Sequence, residues 1–360
     1  MIRQIESGAL PPGSRIPSEN ELCRLHGISI ITVRKALSDL VHENRVVRIK
    51  GKGSFVASQE AKGPAQIKQE SVGIVSLVVM YYRQLDSPII SLIKGAQGHF
   101  SSDGYSMILE CSNKNAKTEA EIIDKCIRNK VDGVLIYSAD PAANEEKLVE
   151  LEAKGIPLVM LDRWFENAPC TLVASYHSDG IYQATRHLIQ YGHRRIAFIG
   201  PQQVISETDE SEPRSCVFEE RLKGYKAALK YGGMDFNESL CVVGGELQFQ
   251  TLDDLIEKKG VTALVCINDR TGIEVLAYLK RRNIRVPEDI SVTGFDDNQN
   301  AKQENLTTIR QRFQELGEIG AQKLLERIRG DTGKSQTVLP VELVVRGSSG
   351  VVNNQFRMRG

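Results

Sequence analysis

Residues 72–79 read Val-Gly-Ile-Val-Ser-Leu-Val-Val, a nearly unbroken β-branched run, and the texture returns at 106–110 (SMILE), 131–137 (VDGVLIY) and 157–162 (PLVMLD). Apolar runs of about four to eight residues fit strands covered on both faces. Helical stretches near 88–102, 118–129 and 144–154 separate them. A second set follows: helix 179–191, strand 195–200 (RIAFIG), helix 218–231, strand 240–243, helix 251–259, strand 262–267 (TALVCI), helix 270–283 and strand 290–295 (ISVTGF). Strands alternating with helices argue for βαβ units and parallel sheets. Two such sets predict an α/β body of two doubly wound parallel-sheet lobes, with a crevice between them. In open α/β sheets, ligands sit off the carboxyl ends of the strands.

The rest of the chain bounds the answer. Its 360 residues exceed one domain, and 41% hydrophobic with 26% charged residues excludes disordered, collagenous and low-complexity classes. Lys+Arg and Asp+Glu both number 46, so no net field marks a partner. Residues 1–58, however, hold nine Lys/Arg against five Asp/Glu, or +4, leaving −4 on the remainder. A basic head on an acidic body is a partner signal. No apolar run approaches the ~18 residues of a membrane span, and Met1–Leu10 lacks an apolar signal core. The seven cysteines form no C-x-x-C pair and read as reduced thiols of a cytoplasmic protein. The six His form no metal-ligand spacing. Neither a metal nor a cofactor is expected.

Domain limits follow from texture. Residues 1–57 form a separate head, 58–70 a polar linker around Gly63-Pro64, 71–349 the body, and 350–360 a C-terminal tail. In the head, Ser18 with Glu21 spells a capping box opening a helix over 18–26, which ends at His26-Gly27. Ser29 can cap a second helix to about Asn44, with Val33, Ala36, Leu37 and Leu40 on one face and Ile30, Ile31, Arg34 and Ser38 on the other. Two short helices around a Gly turn have helix-turn-helix geometry. Val46–Lys50, Gly51-Lys52-Gly53 and Ser54-Phe55-Val56 then read as a two-strand hairpin with a basic tip, a wing. Six Lys/Arg against two acids from Arg34 to Ser58 suit a phosphate backbone, and the helix N-termini at Ser18 and Ser29 can hold phosphates. Singly, each piece is commonplace; in this order and spacing they point to double-stranded DNA.

These residues resemble the DNA-binding domain of the GntR family. The resemblance rests on Ile5-x-x-Gly8, Pro12–Leu22, His26-Gly27-Ile28-Ser29, Thr32–Leu37 and Gly51–Val56. It implies a recognition helix in the major groove and a wing tip in the minor groove, with Glu19, Thr32 and Arg34 on the contact surface and Lys52-Gly53 at the tip. Lys35 joins them on charge and helix position. Two departures stand out. Ile30 occupies a place where the family usually carries Arg; Arg reads guanine bidentately, whereas Ile packs on a thymine methyl, so either an altered half-site or a weaker base readout is expected. Met1 also enters the family's first helix midway, so that helix reads as truncated.

The body resembles the LacI/GalR effector domain. That likeness is carried by Tyr191–Gly200, Glu220-Arg221-x-x-Gly224-Tyr225, Asn268-Asp269, Val286–Asp297, Leu306–Ile309 and Leu339–Ser348. It implies a clamshell similar to periplasmic sugar-binding proteins, whose chain crosses between lobes three times, so that segments near 301–330 return to the first lobe. A GntR head on such a body resembles repressors of arabinose utilisation. A sugar site needs paired donors and acceptors beside an apolar surface. The strand ends offer Asp162-Arg163-Trp164, Asp179 at a helix start, Arg221, Asn268 and Asp296. By resemblance Arg163, Asp179, Arg221, Asn268 and Asp296 meet ligand, with Asp162 nearby. Trp164, the one tryptophan, and Tyr81 or Tyr82 are candidates for the sugar face, since Pro88-Ile89-Ile90 stands where sugar-binding relatives carry aromatics. Each has a plain structural alternative: Asp179 as a helix-start cap, the arginines as structural partners of acids, Trp164 as ordinary packing. The acidic stretch 202–217 carries no assigned site.

The expectation is therefore a homodimeric, ligand-responsive repressor, not an enzyme, released from a pseudo-palindromic operator when a monosaccharide closes the crevice. The alternatives are a regulator of the same architecture sensing a purine, a sugar-binding transport protein, and an NAD-type enzyme. The last lacks G-x-G-x-x-G after the first body strand.

Overall fold

Ser18 is the N-cap of the helix that follows it: it takes the amide of Glu21 while Glu21 returns to the Ser18 amide, a complete capping box. The computed structural model describes residue 5 and residues 9–42, 45–49, 53–57, 73–81, 88–165, 168, 170–200, 216–243 and 249–353. The chain divides into two units, Met1–Ser71 and Val72–Gly360. The 58–70 segment lies outside the described residues, as do Tyr82, most of 202–217, and 354–360.

The head contains β1 (Arg15–Ile16), α1 (Glu19–His26), α2 (Ile30–His42), β2 (Val46–Ile49) and β3 (Gly53–Val56). Gly27 closes α1 in the left-handed region at φ 63°, which a glycine tolerates without strain. Ile16, Leu22, Val33, Leu37, Leu40, Val46 and Val56 make a small closed core. Two expectations need correction. The wing is a three-stranded antiparallel sheet in the order β1-β3-β2, because Arg15 and Ile16 pair with Phe55 and Ser54 and cover the edge of a two-strand hairpin. Ala36 is exposed although Val33, Leu37 and Leu40 are buried.

The body begins with β4 (Ile74–Val79), α3 (Pro88–Ser102), β5 (Ser106–Cys111), α4 (Ala116–Asn129), β6 (Gly133–Tyr137), α5 (Glu145–Ala153), β7 (Leu158–Leu161) and β8 (Thr171–Ser175). The second lobe holds α6 (His177–Gln190), β9 (Ile196–Ile199), α7 (Cys216–Tyr231), β10 (Cys241–Val242), α8 (Phe249–Asp253), β11 (Ala263–Cys266), α9 (Asp269–Arg281), β12 (Ser291–Thr293), α10 (Gln299–Gln303) and β13 (Thr308–Arg310). Helix α8 runs on as a π-helical turn, Asp254–Lys258. Last come α11 (Phe313–Ile328), β14 (Gln336–Leu339) and β15 (Glu342–Val344).

The first lobe's sheet is wholly parallel in the order β14-β8-β7-β6-β4-β5; the second lobe's is β10-β9-β11-β12. The strand order reverses beside β4 in one and β9 in the other, and such switch points open ligand crevices. The chain crosses between lobes three times. It passes from β8 to α6, from β13 to α11 and from β14 to β15, since Phe313, Leu316, Leu324 and Leu339 join the first lobe's core while Ile309 and Leu343 pack in the second's. The return near 301–330 is thus α11. It lies so close to α3 that a Cβ on Gly95 would come 2.2 Å from the Gln314 carbonyl, and one on Gly317 would come 2.1 Å from the Leu92 carbonyl. The chain past Ser349 is held: Gly350 exchanges hydrogen bonds with Ser291 and accepts from His193, and the Val352 amide donates to the Tyr191 carbonyl. The sequence reading passed over β8, β13, β14 and β15. Each is short, and none carries the long apolar run that marked the others.

Candidate functional site

In the head, the candidate DNA-contact residues split by what already holds them. Ser18 is committed to its capping box, and its hydroxyl and amide, both donating to the Glu21 carboxylate, hold that carboxyl below its ordinary range. Ser29 caps α2, accepting from the Thr32 amide at 3.2 Å, and its hydroxyl meets that of Thr32 at 2.9 Å. Ile30, Thr32 and Lys35 are exposed on α2, and Glu19 is half-buried in the first turn of α1. Gly53 is exposed at φ 113°. The Arg34 side chain and Lys52 lie outside the described residues. The sequence reading did not single out Arg15. Its Nε lies 3.3 Å from where a Cβ on Gly53 would stand, so this cation lies beside the wing tip.

In the body, three of the candidate residues meet in one polar chain. Asp162 follows β7 at φ 61° and is 1% exposed. Its Oδ1 accepts from the Ser175 amide at 2.9 Å and lies 3.1 Å from Nε2 of His177; its Oδ2 accepts from the Tyr137 hydroxyl at 3.5 Å. The Arg221 guanidinium is also buried. Its Nη1 donates to the Ile267 carbonyl at 2.5 Å, and Nε and Nη2 point at His177 Nδ1 from 3.4 and 3.3 Å. Arg221 lies over Phe295, 3.7 Å from ring centre to Cζ, a cation–π contact. Its Nη2 stands 3.7 Å from Oδ1 of Asp296. Asp296, at φ 120°, accepts from Gln311 Nε2 at 2.6 Å. Asp162, Asp296 and Asp297, at φ 55°, are all non-glycine residues at positive φ, so backbone strain gathers around this polar chain. The carboxyls of Asp162 and Asp296 are tuned apart. Burial opposes ionisation of Asp162, but the neighbouring His177, the Ser175 amide and Arg221 outweigh it and hold the acid below its ordinary range. Burial dominates at Asp296, over Arg221 and Gln311, and pushes it up to about 6.

The remaining candidates have local partners. Arg163 Nη1 donates to the Ser138 and Ala139 carbonyls at 3.1 and 2.5 Å. That loop is held by the fully buried Glu119, which accepts from the Ser138 hydroxyl, the Ala139 amide and Asn144. Trp164 packs against the apolar cluster containing Phe165 and Cys170. Tyr81 packs on the first lobe's core with Lys114 5.1 Å over its ring. Asn268 caps α9 through the Thr271 amide at 2.9 Å. Asp179 accepts from Gln183 one turn on, at 2.6 Å. Asp269 takes the Asn298 amide and the Thr308 hydroxyl and so fixes the loop bearing Asp296. Asp296 and Gln311 also face a cavity of about 660 Å³, which Ile90, Lys94 and Phe313 help to line. Gln311 Oε1 is buried without a partner.

Sequence reasoning did not find Tyr137, His177 or Gln311. Tyr137 ends β6, a usable signal, whereas Gln311 follows β13, a strand that was not read. His177 sits just past β8, which was not read either. Among the described residues no group of His, Cys, Asp and Glu is arranged to hold a metal ion, and no helix is long and apolar enough to cross a membrane.

Residues 1–56 match the model of the bacterial regulatory proteins of the gntR family, and residues 185–349 match that of the periplasmic binding protein-like domain. The chain joins a GntR-type regulatory head to a periplasmic-binding-protein-like body. It is 29% identical to the arabinose metabolism transcriptional repressor of Halalkalibacterium halodurans over 96% of this chain and 93% of that protein. It is 26% identical to the ribose operon repressor of Haemophilus influenzae over 91% of this chain and 97% of the other. Among solved structures, the transcriptional regulator CelR in complex with cellobiose shares the fold at TM-score 0.66 and 25% identity, covering 93% of this chain and all of its own.

Proposed function

We propose that the protein is a cytoplasmic, homodimeric transcriptional repressor of sugar-utilisation genes, with a monosaccharide such as L-arabinose as effector and no catalytic activity of its own. The observation that carries this reading is the pairing of a GntR-type head with a crevice where Asp162, Arg221 and Asp296 converge. Carboxylates that accept, a guanidinium that donates and an unpartnered Gln311 oxygen suit the hydroxyl groups of a neutral polyol. The whole-length likeness to an arabinose metabolism repressor supports the same assignment.

In this mechanism α2 enters the major groove with Ile30, Thr32, Arg34 and Lys35, while Lys52-Gly53 follows the minor groove. Two heads on a dimer match two operator half-sites. Sugar bound between the lobes favours one lobe arrangement, and the head spacing that fits the operator belongs to the other. Arg163, Trp164, Asp179, Asn268 and Tyr81 complete the effector site around the Asp162–Arg221–Asp296 chain, directly or by holding its loops.

Fluorescence anisotropy on duplex fragments from the protein's own promoter region tests this reading. Tight binding without sugar that L-arabinose reverses is expected. A thermal-shift screen of pentoses, hexoses, sugar phosphates and purines ranks the effector, because a specific ligand raises the melting temperature by mass action. Stabilisation by purines alone would reassign the effector, and indifference to all promoter DNA at low salt would overturn the proposal.

A further inference from the structure

His177 stands at the first crossover between the lobes. It follows β8 of the first lobe by two residues and opens α6 of the second. Its ring is 2% exposed and touches a carboxylate on one side and a guanidinium on the other. Arg221 carries only N–H donors toward it, so Nδ1, approached by Arg221 Nε and Nη2, must be the acceptor. The ring proton then sits on Nε2, which faces Asp162 at 3.1 Å, off the ideal hydrogen-bond axis, and has no other partner. A second ring proton would point at Arg221. The other groups around the ring are the Phe295 face, 5.9 Å between ring centres, the Tyr137 hydroxyl on Asp162, and Asp296 beyond Arg221.

We propose that His177, as the neutral Nε2–H tautomer, is the positioning residue that links Asp162 of the first lobe to Arg221 of the second and holds that guanidinium off Asp296. Resting on the crevice being the effector site, this makes His177 a determinant of sugar affinity without being a sugar ligand. Without the ring, Arg221 is free to close its 3.7 Å gap to Asp296, and the two groups that would meet hydroxyls engage each other instead. An amide can accept from a guanidinium and donate to a carboxylate, so His177→Gln preserves the logic that His177→Ala removes.

The test uses the full chain in two arms. In the first, histidine labelled with 15N is observed by NMR at neutral pH, and the His177 signals are identified by their loss in His177→Gln. A neutral ring protonated on Nε2 is expected; an Nδ1–H or doubly protonated ring would overturn the proposal. In the second, calorimetry with L-arabinose should show affinity reduced about tenfold or more in His177→Ala and largely restored in His177→Gln. Thermal unfolding of both variants serves as the control for folding. Wild-type affinity in His177→Ala overturns the proposal, as does an equal loss in both variants. If the wild-type protein itself ignores L-arabinose, the sugar assignment fails and the tautomer decides the positioning role alone.

Discussion

Asp162 and Asp296 lie past the ends of β7 and β12 in opposite lobes, yet their surroundings push them in opposite directions, and this has measurable consequences. Asp162 is held below the ordinary 3.8, so its ionised form stabilises the fold above that value and the contribution is lost as pH falls below it. Asp296 is raised to about 6. Its contribution has the reverse sign: present at pH below the ordinary value and lost as pH rises through 6. Asp162→Asn should therefore cost about 1–2 kcal/mol at pH 7.5, whereas Asp296→Asn should gain about 1–2 kcal/mol there and nothing near pH 4. Thermal unfolding across pH reads both, and both variants should bind effector more weakly than wild type. A stabilised protein that has lost its ligand is the signature of a group retained for function. In the head, Arg34→Ala should weaken operator binding by about 1–3 kcal/mol, measured by anisotropy. A loss confined to the operator marks base reading, and an equal loss on scrambled DNA marks a phosphate contact.

At the scale of elements, the crevice depends on α3 and α11 packing backbone to backbone. Gly317→Ala places a methyl where the Leu92 carbonyl stands, so the helices must separate, at a cost of about 1–3 kcal/mol or more. Gly98→Ala on the outer face of α3 meets nothing within 4 Å and should be neutral or slightly stabilising. Denaturant unfolding of the pair separates the close approach from the general effect of a helical glycine. The elements that were legible in the sequence are those with strong periodicity or a long apolar run: all of β4 to β7, the helices between them, and the capped helices of the head. Those that were not are the helices α10 and α11, of which only the return near 301–330 was expected, and the strands β1, β8 and β13 to β15, of two to five residues each, whose strand character comes from partners distant in the chain. β14 pairs with β8 across more than 160 positions, a contact that no local pattern encodes. The same blindness hid His177, since a residue can be placed at a strand end only once the strand is seen. Asp162, Arg221 and Asp296 were legible because each follows or faces a recognised strand. Asn268 and Asp179 were legible as positions, but their hydrogen bonds are those of helix starts.

As a whole, the molecule joins two compact units, one suited to duplex DNA and one suited to a polyol, and in the proposed mechanism each senses the other. The head's charge excess of +4 against −4 elsewhere gives it affinity for any duplex, so operator preference must come from the exposed face of α2 and the wing. Coupling between sites is reciprocal: whatever factor the sugar takes from operator affinity, the operator must take from sugar affinity, typically ~1–3 kcal/mol. Calorimetric titration of L-arabinose into the free protein and into its operator complex measures that factor directly. Sugar binding should be weaker in the operator complex by about 5–150-fold; equal affinity in the two states would rule out the proposed coupling.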